Sequence, residues 1–252
     1  MVDRSFADLA LAALYDALNP WGPGDDFYLG LVMSADSVLD VGCGTGRLLR
    51  RARAGGHPGR LVGLDPAAAM LVQARRHGGG VEWVLGDLRT WGRRAGFDLV
   101  VMTGHAFQVL VCDEELRQAL RVVHEALRPG GRFVFETRNP AARTWETWTP
   151  DRVRQITDRE GRVVRVRHEV EGPVVGDRVT FAETFDCDTW PAPAVSRTTL
   201  RFLDVDALSG FLREAGFTVV DRYGDWARGP LTPAAPEIIT VARRASHGSN
   251  TS

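Results

Sequence analysis

The chain has 252 residues, of which 44% are hydrophobic, and its formal net charge is −1. This length suits one α/β domain with an insertion, and the balanced charge lacks the basic excess of nucleic-acid-binding proteins. Three scattered cysteines are too few for a disulfide framework or a zinc cluster, so we expect no metal. No stretch has the roughly 20 apolar residues of a membrane span, and the first residues are unlike a secretory leader. We therefore expect a cytoplasmic monomer or homodimer without nucleic-acid or membrane partners.

All 31 basic residues are arginine, because the sequence contains no lysine. Several kinds of active site depend on a lysine side chain, either as a phosphate ligand or as a nucleophile. The composition therefore excludes phosphate loops of the Walker type, pyridoxal Schiff bases and dehydrogenases that use a tyrosine–lysine pair.

Residues 1–36 are predicted to be mainly helical. Apolar residues recur at helical spacing from Ser5 to Leu18, where Asn19-Pro20 ends the pattern. We expect residues 21–28 to be irregular and residues 29–34 to form a second short helix. Aromatic residues of this segment either cover a neighbouring site as a lid or only pack the helices onto the next domain. They are Tyr15, Trp21 and Tyr28.

A short apolar strand and a glycine turn follow at residues 38–46. Glycine stands at every second position of the turn, and a helix begins directly after it; the glycines are Gly42, Gly44 and Gly46. Glycine permits positive φ angles and lets a ligand approach the main chain closely. Asp65 ends the next apolar run, where a carboxylate can accept both hydroxyls of a ribose. The turn is therefore predicted to hold a nucleotide or a nucleoside.

Residues 40–46, read as Asp-Val-Gly-Cys-Gly-Thr-Gly, and Asp65 resemble the first motif and the ribose-binding acid of the class I S-adenosylmethionine-dependent methyltransferases. The Gly-x-Gly-x-Gly spacing is tighter than the dinucleotide pattern. The resemblance implies a Rossmann-like seven-stranded sheet with helices on both faces and an antiparallel β insertion after the fifth strand. It also implies S-adenosylmethionine as the cofactor and S-adenosylhomocysteine as the product. The residues expected to contact the cofactor are Tyr15, Tyr28, Asp40, Gly42, Cys43, Gly44, Asp65, Pro66, Met70, Gly86, Asp87, Leu88 and Thr103.

Strands and helices alternate through residues 37–137, which we predict to be the cofactor-binding core. Asp87 follows the third strand, where related enzymes use an acid to accept the adenine amino group. A turn or cap role is also open for Asp87, but the two preceding matches favour adenine binding. His105 follows the fourth strand, at the edge of the sheet where ligands bind. It is the candidate catalytic base, because an unperturbed pKa near 6.5 suits proton transfer at neutral pH, with packing as the alternative.

Residues 138–203 are predicted to form an antiparallel cap, from alternating runs at 163–170, 178–185 and 197–202. In the family, such an insertion covers the active site and selects the acceptor. Residues 204–245 would complete the core with a helix and a hairpin, and residues 246–252 would be a disordered tail. The candidate acceptor-binding residues are Trp21, Phe107, Gln108, Glu136, Arg138, Trp145 and Trp148.

The acceptor itself is predicted by elimination to be a small molecule. Residues 103–109 contain none of the carboxylates that metal-assisted catechol methylation requires, and the Asn/Asp-Pro-Pro-aromatic signature of nucleic-acid amino-methyltransferases is absent. An aromatic compound or an amine from natural-product biosynthesis would fit, with N, O or an electron-rich C as the methylated atom. Trp145 and Trp148 either stack on such a group or fill the base of the insertion. The alternatives are a non-catalytic cofactor-binding regulatory module and an NAD-dependent oxidoreductase, which would need a third glycine at dinucleotide spacing.

Overall fold

The computed structural model describes residues 2–76, 78–92 and 96–245, so the predicted tail at 246–252 lies outside the described residues. The helices are α1 Arg4–Ala7, α2 Leu9–Ala12, α3 Tyr15–Leu18, α4 Pro23–Met33, α5 Arg47–Ala54, α6 Ala68–Arg75, α7 Asp113–Ala126 and α8 Val205–Glu214. The strands are β1 Ser37–Val41, β2 Arg60–Asp65, β3 Glu82–Leu85, β4 Phe97–Met102, β5 Leu127–Arg138, β6 Arg154–Thr157, β7 Val163–Val170, β8 Arg178–Asp186, β9 Ala194–Arg201, β10 Phe217–Tyr223 and β11 Glu237–Arg244. Single 3₁₀ turns lie at Ala106–Val109, Pro140–Ala142 and Thr144–Thr147.

Seven strands form the main sheet, in the order β10-β11-β5-β4-β1-β2-β3. The strands from β1 to β5 run parallel to one another, whereas β11 pairs antiparallel with both β5 and β10. In the centre, Val38 lies opposite Leu61 on one side and Leu99 on the other. The predicted α/β architecture, with a seven-stranded methyltransferase-type sheet, is confirmed.

Helices cover both faces of this sheet because the central strands are apolar on both sides, as fully buried parallel strands are. On one face, α7 and α8 pack on a cluster that contains Leu39, Val100 and Phe133. On the other face, α4 and α5 pack on a cluster that contains Val38 and Leu99. Successive residues of one strand therefore contribute to two separate hydrophobic cores.

The amino-terminal segment differs from its prediction. This stretch forms three short helices and not one. The break between α1 and α2 lies at Asp8, which has extended backbone angles and whose carboxylate accepts hydrogen bonds from Ala10 N and Leu11 N. A side chain that caps backbone N–H groups begins a new helix at that point. The short helix predicted at residues 29–34 is longer in the structure. It is α4, which begins at Pro23 because proline is well suited to the first helical position.

A second sheet, hereafter the cap sheet, is antiparallel and has the order β6-β7-β8-β9. The predicted meander has three of these strands; the structure adds β6, a largely exposed edge strand whose sequence Arg-Gln-Ile-Thr has little apolar pattern. The inner face of the cap sheet packs on α2 and α3 through Val164, Val166 and Phe185. The cap sheet is thus joined to the amino-terminal helices that precede β1.

Within residues 2–76, 78–92 and 96–245, no helix has both the length and the hydropathy needed to cross a membrane.

Candidate active site

The carboxyl ends of the parallel strands meet at one edge of the main sheet. Asp40 lies in β1, Asp65 ends β2, and Glu136 lies near the end of β5. His105 follows β4, and its backbone N–H donates to Glu136 Oε1 at 2.8 Å. Because β1 lies between β4 and β2, the direction of the crossovers reverses there, and such a switch point is where open α/β sheets bind ligands.

The glycine turn is bound directly to Asp65. Gly44 N donates to Asp65 Oδ2 at 2.7 Å, and Ala67 N donates to Asp65 Oδ1 at 2.8 Å. Burial raises the pKa of this carboxyl, although the two backbone hydrogen bonds act in the opposite direction. Gly44 has a φ of +55°, and a Cβ placed on it would meet no other atom within 4 Å. The turn therefore presents bare main chain to an open space beside a fixed carboxylate.

Asp40 has no hydrogen-bond partner among the described residues, although it is only 1% exposed. Burial, together with the charges of Asp65 and Glu136, raises the pKa of its carboxyl to about 8. A buried polar group without a partner costs free energy, so it marks a place where a ligand completes the site. Because the acids Asp65 and Glu136 lie nearby, a positively charged group would suit this position.

Glu136 connects three elements of the site. It is 2% exposed, and its Oε2 accepts a hydrogen bond from the Tyr28 hydroxyl of α4 while its Oε1 holds the backbone of His105. Burial raises the pKa of Glu136, and burial together with the Glu136 charge raises the pKa of Tyr28 well above its ordinary value. These two groups fix the position of His105 relative to the sheet.

Glu237, at the start of β11, is a site residue that the sequence analysis does not identify. Both of its carboxylate oxygens lie 3.0–3.1 Å from His105 Nε2. In the sheet Glu237 is directly opposite Arg138 of β5, so its side chain points to the same face as Glu136 and Arg138. The sequence signal that could have identified Glu237 is an acidic residue directly before the largely apolar run 238–242.

Among the described residues, Nε2 is the ring nitrogen of His105 that has a hydrogen-bond partner. A carboxylate only accepts hydrogen bonds, so Nε2 carries the hydrogen that faces Glu237, and in the neutral ring Nδ1 is the acceptor. The residue has a φ of +62°, in the left-handed region that is costly for a side chain other than glycine. Backbone strain of this kind is concentrated at functional sites, and here Glu136 and Glu237 hold the strained residue from two sides.

Comparisons with known proteins agree with this geometry. Residues 38–131 match a family model described as a methyltransferase domain. Cypemycin N-terminal methyltransferase from a Streptomyces species is 29% identical over 97% of this chain and 100% of its own length. The dTDP-4-amino-2,3,4,6-tetradeoxy-D-glucose N,N-dimethyltransferase of Saccharopolyspora spinosa is 32% identical over 56% of each chain. The solved structure of CalS10 with bound cofactor, an amino pentose methyltransferase from Micromonospora echinaspora, aligns with a TM-score of 0.68, covering 94% of this chain and 97% of its own at 24% identity.

These comparisons support an S-adenosylmethionine-dependent methyltransferase, whose methyltransferase domain is matched at residues 38–131. The matched region begins at β1 and continues to the first part of β5, so it contains the glycine turn, Asp65 and His105. The alignment with the cypemycin enzyme extends well beyond this region and includes the residues of the cap sheet.

Tyr15 lies close to the turn that follows β4. Its hydroxyl would lie 3.3 Å from a Cβ placed on Gly104, next to His105. Burial raises the pKa of Tyr15 to about 12, while the charge of Arg47 acts in the opposite direction. Trp21 lies elsewhere: its Nε1 donates to Asp26 and Arg47 stacks on its ring at 5.6 Å. The lid role of Tyr15 and the acceptor role of Trp21 both stay predictions.

The end of β5 is linked to the cap sheet by polar and aromatic contacts. Gln108 Oε1 accepts from Arg138 Nη1 at 3.0 Å, and Gln108 Nε2 donates to the Arg201 carbonyl of β9 at 2.9 Å. The Arg138 guanidinium lies over the ring of Trp148 at 5.3 Å. Trp145 packs edge-on against Phe202, with ring centroids 4.6 Å apart. Direct contacts thus join Gln108, Arg138 and Trp148, and the acceptor roles of these three residues and of Trp145 stay predictions.

Phe107 is separate from that wall. It is 3% exposed and stacks on Phe135 with ring centroids 4.1 Å apart, as a member of the core under α7. Its role in acceptor binding stays a prediction, and the visible contacts of its ring are core contacts.

Asp87, the residue predicted to bind adenine, follows β3. The Asp87 carboxylate is bound by the Arg89 guanidinium at 2.6 Å and by the backbone N–H groups of Arg89 and Thr90. The hydrogen bonds and charge of Arg89 lower the pKa of Asp87 despite its partial burial. Asp87 therefore caps a turn, and its second role toward adenine stays a prediction.

The structure also gives the positions of the other residues predicted to contact the cofactor. Cys43, Met70 and Leu88 are buried. Pro66 follows β2, Gly86 follows β3, and Thr103 follows β4.

Proposed function

We propose that this methyltransferase transfers a methyl group to the nitrogen of a small-molecule aliphatic amine in natural-product biosynthesis. The observation that carries the proposal is the pair His105–Glu237, in which a carboxylate lies 3.0 Å from Nε2 and Nδ1 has no hydrogen-bond partner among the described residues. A base at this position is useful when the acceptor arrives as an ammonium ion, because the nitrogen must lose a proton before it can attack. The names of the two relatives and the solved structure given above all describe an amino-terminal or amino-sugar acceptor.

The residues at the glycine turn fit S-adenosylmethionine, which supplies an electrophilic methyl group on a sulfonium. Asp65 is fixed by Gly44 and Ala67 and retains lone pairs for the two ribose hydroxyls. Asp40 is the acid that suits the cationic amino group of the methionine part, because its own oxygens have no partner among the described residues. Asp87 and the backbone N–H of Leu88 would bind adenine.

The proposed acceptor chemistry depends on the acids near the end of β5 and at the start of β11. Glu136 and Glu237 give the cleft a negative charge that attracts an ammonium ion. His105 Nδ1 then takes the proton of that ion, and Glu237 stabilises the imidazolium through Nε2. Tyr28 and Glu136 keep the histidine backbone in place, so that the nitrogen lone pair is aligned with the methyl group.

The test is a methyl-transfer assay with a panel of acceptors, read by mass spectrometry. The panel contains short peptides with free or acetylated amino termini, nucleotide-linked amino sugars, phenols and indoles. We expect transfer to free amines and none to acetylated ones. Transfer to a phenol or an indole but to no amine would contradict the proposal. Cofactor binding without transfer to any acceptor would instead support a non-catalytic binding module.

A further inference from the structure

The last glycine of the glycine turn is in contact with an aromatic ring from the edge of the main sheet. Trp83 of β3 lies directly opposite Gly63 of β2. A Cβ placed on Gly63 would lie 2.5 Å from the Trp83 ring, and a Cβ placed on Gly46 would overlap the same ring. Glycine in a strand allows such a close approach. The Trp83 ring therefore occupies the space that side chains at both glycines would need.

The two ends of the turn are joined to the sheet in different ways. At the first end, Gly42 N donates a hydrogen bond to the Leu64 carbonyl of β2 at 2.8 Å. At the second end, Gly46 N donates within the turn, to the Cys43 carbonyl at 2.9 Å. The contact of this second end with the sheet is the ring of Trp83. Backbone hydrogen bonding thus fixes one end of the turn, and side-chain packing supports the other.

The ring of Trp83 is itself held by the surrounding elements. It packs against Cys43 of the turn and against two fully buried residues of α6, Leu71 and Ala74. Its main chain is held as well, because Arg75 Nη2 donates to the Trp83 carbonyl at 3.3 Å. An aromatic side chain that covers a glycine on the neighbouring strand stabilises the pairing of the two strands. A closely packed ring of this kind has little freedom to move, so it gives the turn a fixed support.

The position of this support matters for the part of the turn that faces open space. Gly44 presents bare main chain there, and its N–H is held by Asp65 Oδ2 at 2.7 Å. Gly44 lies two residues before Gly46 in a short turn, so a displacement of Gly46 also changes the position of the Gly44 main chain. Hydrogen bonds weaken when their distance or angle departs from the preferred geometry. A shift at Trp83 would therefore weaken the contacts between the turn and its ligand.

We infer that Trp83 is a positioning residue for S-adenosylmethionine, which acts through Gly46 and Gly63. Its ring supports the second end of the glycine turn and so sets where the turn meets the cofactor. The inference concerns the cofactor half of the site and does not depend on which acceptor is methylated.

The test is calorimetric titration of the full chain and its Trp83 variants with S-adenosylhomocysteine. Trp83→Ala removes the support, so the affinity should fall roughly tenfold, as the loss of one hydrogen bond would produce. Phenylalanine keeps a ring over Gly63 but is too short to fill all the space beside Gly46, so Trp83→Phe should have an intermediate affinity. The matched control is Val84→Ala, because Val84 is the next residue of β3 and packs on the opposite face of the sheet. Val84→Ala should lower the Tm and leave the affinity unchanged.

A second pair of variants tests the same contact if Trp83→Ala does not fold. Gly63→Ala places a methyl group against the ring and should also weaken the binding of S-adenosylhomocysteine. Gly63→Ala combined with Trp83→Val makes room for this methyl group, so the double variant should bind more tightly than Gly63→Ala alone. Urea unfolding of each variant separates a loss of affinity from a loss of fold.

Three results would overturn the inference: full affinity in Trp83→Ala, full affinity in Gly63→Ala, or an equal loss of affinity in Val84→Ala. The titration requires no methyl transfer, so failure of the proposed amine chemistry would be seen separately, in the acceptor panel.

Discussion

The proposed site has two parts, a cofactor half around Asp65 and an acceptor half around His105, and they are constructed in different ways. At the cofactor half, Asp65 is held by the backbone of Gly44 and Ala67, which are 21 and 2 residues away. At the acceptor half, His105 is held by Glu237 and Glu136, which are 132 and 31 residues away. A short-range site is specified by one motif, whereas a long-range site depends on the register of the sheet.

This difference has a functional consequence. The cofactor half is made of main-chain groups and one fixed acid, and it therefore tolerates little change of ligand. The acceptor half is made of side chains from β4, β5, β11 and the cap sheet, each of which can change without disturbing the glycine turn. Substitutions in the two halves should accordingly affect different kinetic constants, and four predictions test this separation.

The largest effect is expected for His105→Asn. Removal of a general base lowers the rate of proton transfer by about 10²–10⁴-fold, so kcat should fall while the affinity for S-adenosylmethionine stays the same. Asparagine is chosen because it tolerates the left-handed backbone conformation of this residue. Steady-state kinetics and calorimetric titration of the cofactor check the two parts. A normal kcat would assign His105 a packing role.

Asp65→Ala should affect the other half of the cleft. Losing charge-assisted hydrogen bonds costs about 1.5–3 kcal/mol, so cofactor affinity should decrease by roughly 10–100-fold, measured by calorimetry with S-adenosylmethionine and S-adenosylhomocysteine. The variant also frees Gly44 N and Ala67 N, and Asp65→Asn is the control that keeps a side-chain acceptor. Unchanged affinity in Asp65→Ala would remove this residue from the cofactor site.

Glu237→Gln should give a smaller loss. The amide cannot stabilise the imidazolium as a carboxylate does, and one charge-assisted hydrogen bond corresponds to a decrease of roughly tenfold in kcat. Steady-state kinetics measure this loss, and calorimetric titration should show an unchanged affinity for S-adenosylmethionine. An unchanged kcat would remove Glu237 from the proposed catalytic pair.

A fourth prediction concerns the stability of the chain without cofactor, measured with Asp40→Asn. Burial and neighbouring acids raise the pKa of Asp40 from 3.8 to about 8 in the folded chain, so the folded state binds the proton more tightly than the unfolded state does. Its contribution to stability is complete below about pH 4 and is lost as the pH rises from there through about 8. The Tm of the unaltered chain should therefore fall between about pH 4 and 8 relative to that of Asp40→Asn, by about 2–4 °C for each kcal/mol.

Calorimetric scans across this pH range provide the measurement. The same carboxyl predicts that binding of S-adenosylmethionine near pH 7 releases a proton, because the cofactor's ammonium group favours ionised Asp40. Titrations in buffers with different ionisation enthalpies detect such a release. Parallel Tm curves for the two proteins, together with no proton release, would show that Asp40 does not bind the ammonium group.

Several features of this protein were determined by its sequence alone. The apolar runs 38–41, 61–64 and 97–102 are each adjacent to a turn, and a parallel sheet follows from this local alternation. The glycine turn and Asp65 are close in sequence, so their proximity in space follows from a single β-α-β unit. The cofactor and the fold could therefore be predicted, because the interactions that specify them are local.

Other features were decided only by the tertiary structure. Glu237 reaches His105 because β11 pairs antiparallel with β5 in one register, and a shift of one residue would turn its side chain to the other face. The helical pattern is interrupted at Asp8, where the side chain caps a new helix. Likewise α4 begins at Pro23, earlier than the spacing of apolar residues predicts. Trp83 and Gly63 meet only after β2 and β3 pair. Such contacts depend on strand register, a long-range property, and no local pattern in the sequence encodes it.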